Sequence, residues 1–144
     1  RGHGPPSYSA RAMDVRLRWE GDLRFQATGG AGLATLVDGD TAAGLSPMET
    51  LLAALGACMG ADIVDILRKG RQELTAVAIR ASGTRREQPS RRFLTIALAI
   101  ELEGRALDPT KAERAVELSR KTYCSVWNSL APDIELDVTL AVRG

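Results

Sequence analysis

Ser46-Pro47-Met48-Glu49 opens a stretch, running to Lys69, in which polar side chains are sparse, and no other feature limits the possible folds of this chain so strongly. Ser46 can cap a helix, Pro47 suits its first position, and Glu49 can reach back to complete a capping box. At the far end Arg68 and Lys69 favour the negative pole of the helix dipole, and Gly70 can adopt a left-handed stop. The spacing predicts a helix over 46–69, roughly 35 Å long at 1.5 Å per residue. Between Leu51 and Leu67 only Asp62 and Asp65 are charged, so this helix is expected to be enclosed by the domain rather than laid on its surface. Its most apolar part, Leu51 to Met59, is about half of the roughly 20 residues that cross a bilayer and reads as a core segment.

Period-two alternation surrounds the helix. Val15, Leu17 and Trp19 alternate, and Leu23 and Phe25 resume the pattern after Glu20-Gly21-Asp22, which is a β-hairpin signal. A third short strand, Leu33 to Val37, follows Gly29-Gly30-Ala31-Gly32 and ends at Asp38-Gly39-Asp40. That glycine cluster lacks the strand-to-helix context of a phosphate loop and reads as a turn. Leu74 to Ser82 reads as a strand, and the Arg-rich segment from Gly83 to Arg92 as a solvated hairpin tip without the aromatic side chains that favour nucleic acid. Leu94, Ile96, Leu98, Ile100 and Leu102 alternate along the next strand. Asp108-Pro109 caps a second helix with Ala112, Val116, Ser119 and Tyr123 on one stripe and Glu117 four residues before Lys121. After Pro132, Ile134 to Val142 alternate as a final strand. This order predicts one α+β domain over 13–144, a mainly antiparallel sheet packed around a long central helix and a second helix. Residues 1–12 have no apolar period and read as a disordered arm or an added remnant.

Composition removes several classes of function. The 144 residues carry 19 Lys plus Arg against 18 Asp plus Glu, a net charge of +1, so no global field recruits nucleic acid or an anionic membrane. Two cysteines are too few for a disulfide framework, and with the one histidine, His3 in the arm, they make a poor zinc set. A histidine base for nucleophilic catalysis is equally lacking from 13–144. With no secretory signal in view, a cytoplasmic location is the default expectation.

The two cysteines need another explanation. Cys58 lies in the middle of the predicted helix among Ala53, Ala54, Gly56, Ala57, Gly60 and Ala61. Two glycines inside a helix cost about 1 kcal/mol each relative to alanine, so something must offset them. The small side chains would clear space around the sulfur for another backbone or a narrow apolar substrate; equally, they would form a helix-packing groove with an inert buried cysteine. Cys124 falls at the end of the second helix beside Tyr123 and Trp127, which suit an apolar pocket or simple core packing. Packed helices can bring two sulfurs within disulfide range, although spacing alone does not show it. A peroxidatic pair needs one reactive thiolate and a second thiol to condense with the sulfenic acid. In that reading Cys58 attacks and Cys124 resolves. The rival reading is a dimeric binding protein with an apolar interface pocket and structural cysteines.

Taken together, Ser46-Pro47-Met48-Glu49, Leu51-Leu52-Ala53-Ala54-Leu55-Gly56-Ala57-Cys58 and Tyr123-Cys124-Ser125-Val126 resemble the two cysteine motifs of the osmotically inducible protein C and organic hydroperoxide resistance family (OsmC/Ohr). Trp19, Val37-Asp38-Gly39 and Ile63-Val64-Asp65-Ile66-Leu67 extend the likeness from about Asp14 to Val142, and the Arg85-Arg86-Glu87 hairpin resembles a little-characterised branch. The resemblance implies an intertwined homodimer that reduces organic hydroperoxides through its cysteines and is recycled by an external dithiol. It implies no metal or organic cofactor, and neither nucleic acid nor membrane as a partner. It also implies an arginine from the N-terminal sheet and a glutamate near the start of the central helix, which together hold the reactive thiolate. A guanidinium favours the charged sulfur, and the carboxylate fixes the arginine's direction. Counting back ten residues from Cys58, the family's glutamate position holds Met48, with Glu49 one place later; Arg24, ahead of Arg18, is the candidate arginine.

Overall fold

The computed structural model describes residues 12–144, so most of the expected arm, His3 included, lies outside the described residues. The chain divides into two units, the first ending at Met48 and the second beginning at Glu49.

The first unit is an antiparallel meander of β1 (Arg16–Trp19), β2 (Arg24–Thr28) and β3 (Ala34–Asp38), in the order β1-β2-β3. The expected hairpin turn is made by Gly21 and Asp22, both at positive φ (101° and 46°). Asp22 also accepts a hydrogen bond from Trp19 Nε1 through its carbonyl, at 2.8 Å. At the end of β3 the fully buried Asp38 carboxylate gathers the backbone N–H groups of Asp40, Ala42 and Ala43 at 2.9–3.2 Å. Those donors, the Asp40 amide foremost, hold Asp38 below the usual carboxylate range against the opposing effect of burial. The sheet leaves large apolar side chains exposed, among them Leu17 at 61% and Trp19 at 64%.

In the second unit α1 (Pro47–Lys69) precedes β4 (Glu73–Arg85) and β5 (Phe93–Arg105), an antiparallel pair. The chain then crosses over through α2 (Pro109–Leu118), a π-helical turn (Ser119–Tyr123) and α3 (Ser125–Ser129) before β6 (Glu135–Arg143). β6 pairs with β5 in parallel, the geometry that such a long connection permits. The architecture is α+β, and three of its four strand pairings are antiparallel. Ile96, Leu98, Ile100 and Leu102 form one buried face of β5, and α1 contributes Leu55, Met59, Ile63 and Leu67 to the core, all at four-residue spacing. Asp108 caps α2 as expected, its carboxylate accepting the Thr110 N–H at 2.9 Å, and Glu117 pairs with Lys121 at 2.7 Å.

Several details differ from the sequence reading. β4 continues through Arg85 rather than stopping at Ser82, because cross-strand pairing with β5 extends to Phe93. The left-handed residue after α1 is Arg71 (φ 60°), not Gly70, whose N–H still bonds to the Ile66 carbonyl. α1 is covered on one side only: Ala53, Ala54, Ala57 and Ala61 are exposed. On length and composition alone α1 also qualifies as a membrane-spanning helix, with a mean hydropathy of 1.8 that the count over Leu51 to Met59 understates. Its buried Leu55–Leu67 stripe is equally the signature of a core helix.

Candidate functional site

The two cysteines lie near one another. Cys58 stands in the middle of α1, half-buried, and its sulfur lies within hydrogen-bonding reach of the fully buried Cys124. Both are free thiols. Local structure explains the position of Cys124. α2 passes at Ser119 into the π-helical turn, and the Cys124 N–H closes that turn on the Ser119 carbonyl at 2.7 Å. Such a turn holds one residue more than an α-helical one, which moves the next residues about 100° around the axis. Cys124 then leaves the helical conformation (φ −70°, ψ 99°) and caps α3, its sulfur accepting the Trp127 N–H at 3.4 Å. Asn128 fastens the same corner from the other side, donating to the Cys124 carbonyl through its backbone N–H and its side-chain amide.

Burial sets the state of Cys124. Burial pushes the Cys124 thiol up to about 11, and the nearness of Cys58 and Asp62 adds to the rise. The Trp127 N–H opposes this by bonding to the sulfur, but a single weak donor does not outweigh desolvation. Cys124 is therefore held as a protonated, shielded thiol beside a more accessible one. Asp62, one helical turn beyond Cys58 on the same face of α1, accepts a hydrogen bond from the buried Ser119 hydroxyl at 2.8 Å. Neither Asp62 nor Ser119 is singled out by the sequence. The four-residue step from Cys58 to Asp62 was available as a signal, and so was the place of Ser119, a polar residue, on the stripe of the second helix.

Of the other expected site residues, Glu49 is on α1 with Cys58, and Arg24 and Arg18 belong to the first unit. Glu49 sits in the first turn of α1, about 13 Å from Cys58 along the axis and half a turn around it. Arg24 is on β2 in the first unit, its Nε 3.5 Å from Asp38 Oδ2 but without a hydrogen-bond alignment, since that oxygen already accepts two amides. Arg18 lies on β1 among the exposed Glu20 and Gln26 side chains. Tyr123 is 57% exposed instead of joining a buried stripe, because the π turn, of which it is the last residue, breaks the helical period. Trp127 is half-buried.

The glycines of α1 have a different purpose from clearing space around the sulfur. Gly56 and Gly60 flank Cys58 two residues away on either side, which puts them about 160° around the helix from it. They face Ile79 of β4, and a Cβ on Gly60 would stand 2.8 Å from the Ile79 Cδ1. The missing Cβ atoms let the half-buried Ile79 approach the helix closely, and that packing works against the helical cost of the glycines. The residues that leave Cys58 accessible are Ala54, Ala57 and Ala61. Among the described residues no group of three or more His, Cys, Asp or Glu side chains is arranged to hold a metal ion.

Comparison with known proteins bears on the family and the fold. A family model described as OsmC-like protein matches residues 38–139. Protein YhfA of Escherichia coli strain K12 is 38% identical over 115 residues, which cover 79% of this chain and 86% of that protein. A hypothetical protein from Aquifex aeolicus superposes with a TM-score of 0.84 at 30% identity, over 92% of this chain and 97% of its own. The organic hydroperoxide resistance protein OhrB of Bacillus subtilis superposes with a TM-score of 0.60 at 18% identity, over 90% and 98% respectively, a likeness of fold alone.

Proposed function

The chain belongs to the OsmC-like protein family, and from that premise we propose that it is a thiol-dependent peroxidase that reduces small organic hydroperoxides. The observation that carries this reading is the pair of free thiols within hydrogen-bonding reach, one partly exposed and one buried. The hydroperoxide in the name of the Bacillus protein supports the choice of substrate class.

The chemistry follows from the asymmetry of the pair. The Cys58 thiolate attacks the terminal peroxide oxygen, the O–O bond breaks, and the alkoxide departs as an alcohol after taking a proton, leaving Cys58 as a sulfenic acid. The Cys124 sulfur then attacks the Cys58 sulfur. An S–S bond forms, and hydroxide leaves with the Cys124 proton as water. An external dithiol returns both cysteines to thiols by two exchange steps and becomes a disulfide itself. Cys124 suits the second role because a thiol held near pH 11 and shielded from solvent is a poor first nucleophile. Arg24 and Glu49 enter the same proposal only through the roles that family resemblance implies, a guanidinium that favours the thiolate and a carboxylate that fixes its direction.

Peroxide treatment of the reduced protein, followed by alkylation and mass spectrometry of its peptides, tests the reading. The expected product is a Cys58–Cys124 cross-linked peptide pair; two alkylated thiols and no cross-link would reject the peroxidase and favour a binding protein with structural cysteines. The working form is proposed to be a cytoplasmic homodimer. Leu17, Trp19 and Leu33, exposed on the first unit, and the bare alanine face of α1 are apolar surface of the kind that a second copy covers. Light scattering at micromolar concentration should return twice the chain mass, and a monomer would overturn the assignment.

A further inference from the structure

We propose that the Asp62–Ser119 hydrogen bond is a positioning clamp that holds the Cys124 sulfur against Cys58 and so governs how readily the two cysteines join. The inference rests on the redox reading of the pair, and it concerns residues to which that reading gives no role.

Ser119 is tied in two directions at once. Its hydroxyl donates to Asp62 Oδ2 at 2.8 Å, which links it to α1 across 57 residues of chain. Its carbonyl accepts the Cys124 N–H at 2.7 Å and closes the π-helical turn. Asp62 in turn follows Cys58 by one helical turn. A chain of connections therefore runs from Cys58 along α1 to Asp62, across to Ser119, and around the turn to Cys124, whose sulfur lies near that of Cys58. Ser119 and Asp38 are the fully buried polar or charged residues among those described, and Asp38 is explained by its own corner. The serine hydroxyl has no solvent to bond with, so Asp62 satisfies it.

The carboxylate could act by its charge instead, and the sign argues against that. A negative group beside Cys124 opposes ionisation of its thiol, so the charge of Asp62 hinders the second cysteine rather than helping it. What Asp62 contributes is the accepted hydrogen bond.

The test uses the full chain equilibrated with mixtures of reduced and oxidised glutathione. The Cys58 and Cys124 thiols and one glutathione disulfide exchange to give the intramolecular disulfide and two glutathiones, and the equilibrium constant measures the effective concentration of one sulfur at the other. Asp62→Ala and Ser119→Ala should each lower it about tenfold or more, as loss of a hydrogen bond to a charged acceptor allows. Asp62→Asn, whose amide oxygen still accepts from Ser119, should stay within about threefold of the parent. Parent-like values for the two alanine variants would overturn the clamp. A fall in Asp62→Asn as large as in Asp62→Ala would also overturn it, because the amide oxygen still accepts the Ser119 hydrogen bond. Should Asp62→Ala fail to fold, Ser119→Ala and Asp62→Asn together still separate the clamp from a charge effect. No peroxide enters this equilibrium, so a protein inert to peroxide yet sensitive to these substitutions would reject the peroxidase and leave the clamp standing.

Discussion

Replacing Cys58 by serine is expected to lower dithiol-dependent consumption of cumene or tert-butyl hydroperoxide by at least about a thousandfold, since a serine hydroxyl is scarcely ionised near neutrality and is a far weaker nucleophile. The remaining thiol cannot substitute. With its pKa near 11, Cys124 is ionised to only about one part in ten thousand at pH 7, and it is fully buried. Serine differs from cysteine by one atom, so the Leu55–Leu67 stripe on α1 should pack as before. A circular dichroism melt checks that point. Turnover that survives the substitution would remove Cys58 from the chemistry and the peroxidase with it.

The second large effect concerns Cys124 alone. In the reduced protein at pH 7 its alkylation by iodoacetamide should be at least about a hundredfold slower than that of an unhindered thiol. The sign follows from burial: a thiol raised from 9.0 to about 11 stays protonated at neutral pH, and the thiolate fraction falls tenfold for each pH unit. The rate should accordingly climb about tenfold per pH unit and level off only near pH 11. Peptide mass spectrometry over an alkylation time course tracks Cys58 and Cys124 separately. Equal rates at pH 7 would contradict the division of roles, because a resolving thiol as reactive as its partner would meet peroxide itself.

Much of the architecture could be read from short-range chemistry. The ends of α1, the Asp108 cap, the Glu117–Lys121 pair and the alternating face of β5 each depend on residues within a few positions of one another. Where the reading went astray, distant residues decided. β4 runs on to Arg85 because β5 is there to pair with it, and Gly56 and Gly60 serve Ile79 rather than the sulfur between them. Tyr123 turns outward because the π turn, closed from Ser119 to Cys124, interrupts the period that would have buried it.

The order of elements, the long apolar helix and the two cysteine motifs were set by the amino-acid sequence alone, through propensities and periodicities that act over one or two turns of chain. The nearness of Cys58 and Cys124, the raised pKa of the buried one, and the bond from Ser119 to Asp62 were decided by tertiary structure. The physical reason is that each depends on side chains 57 or more positions apart in the chain, brought together and sealed from water only when α1 and the crossover helices fold into one core.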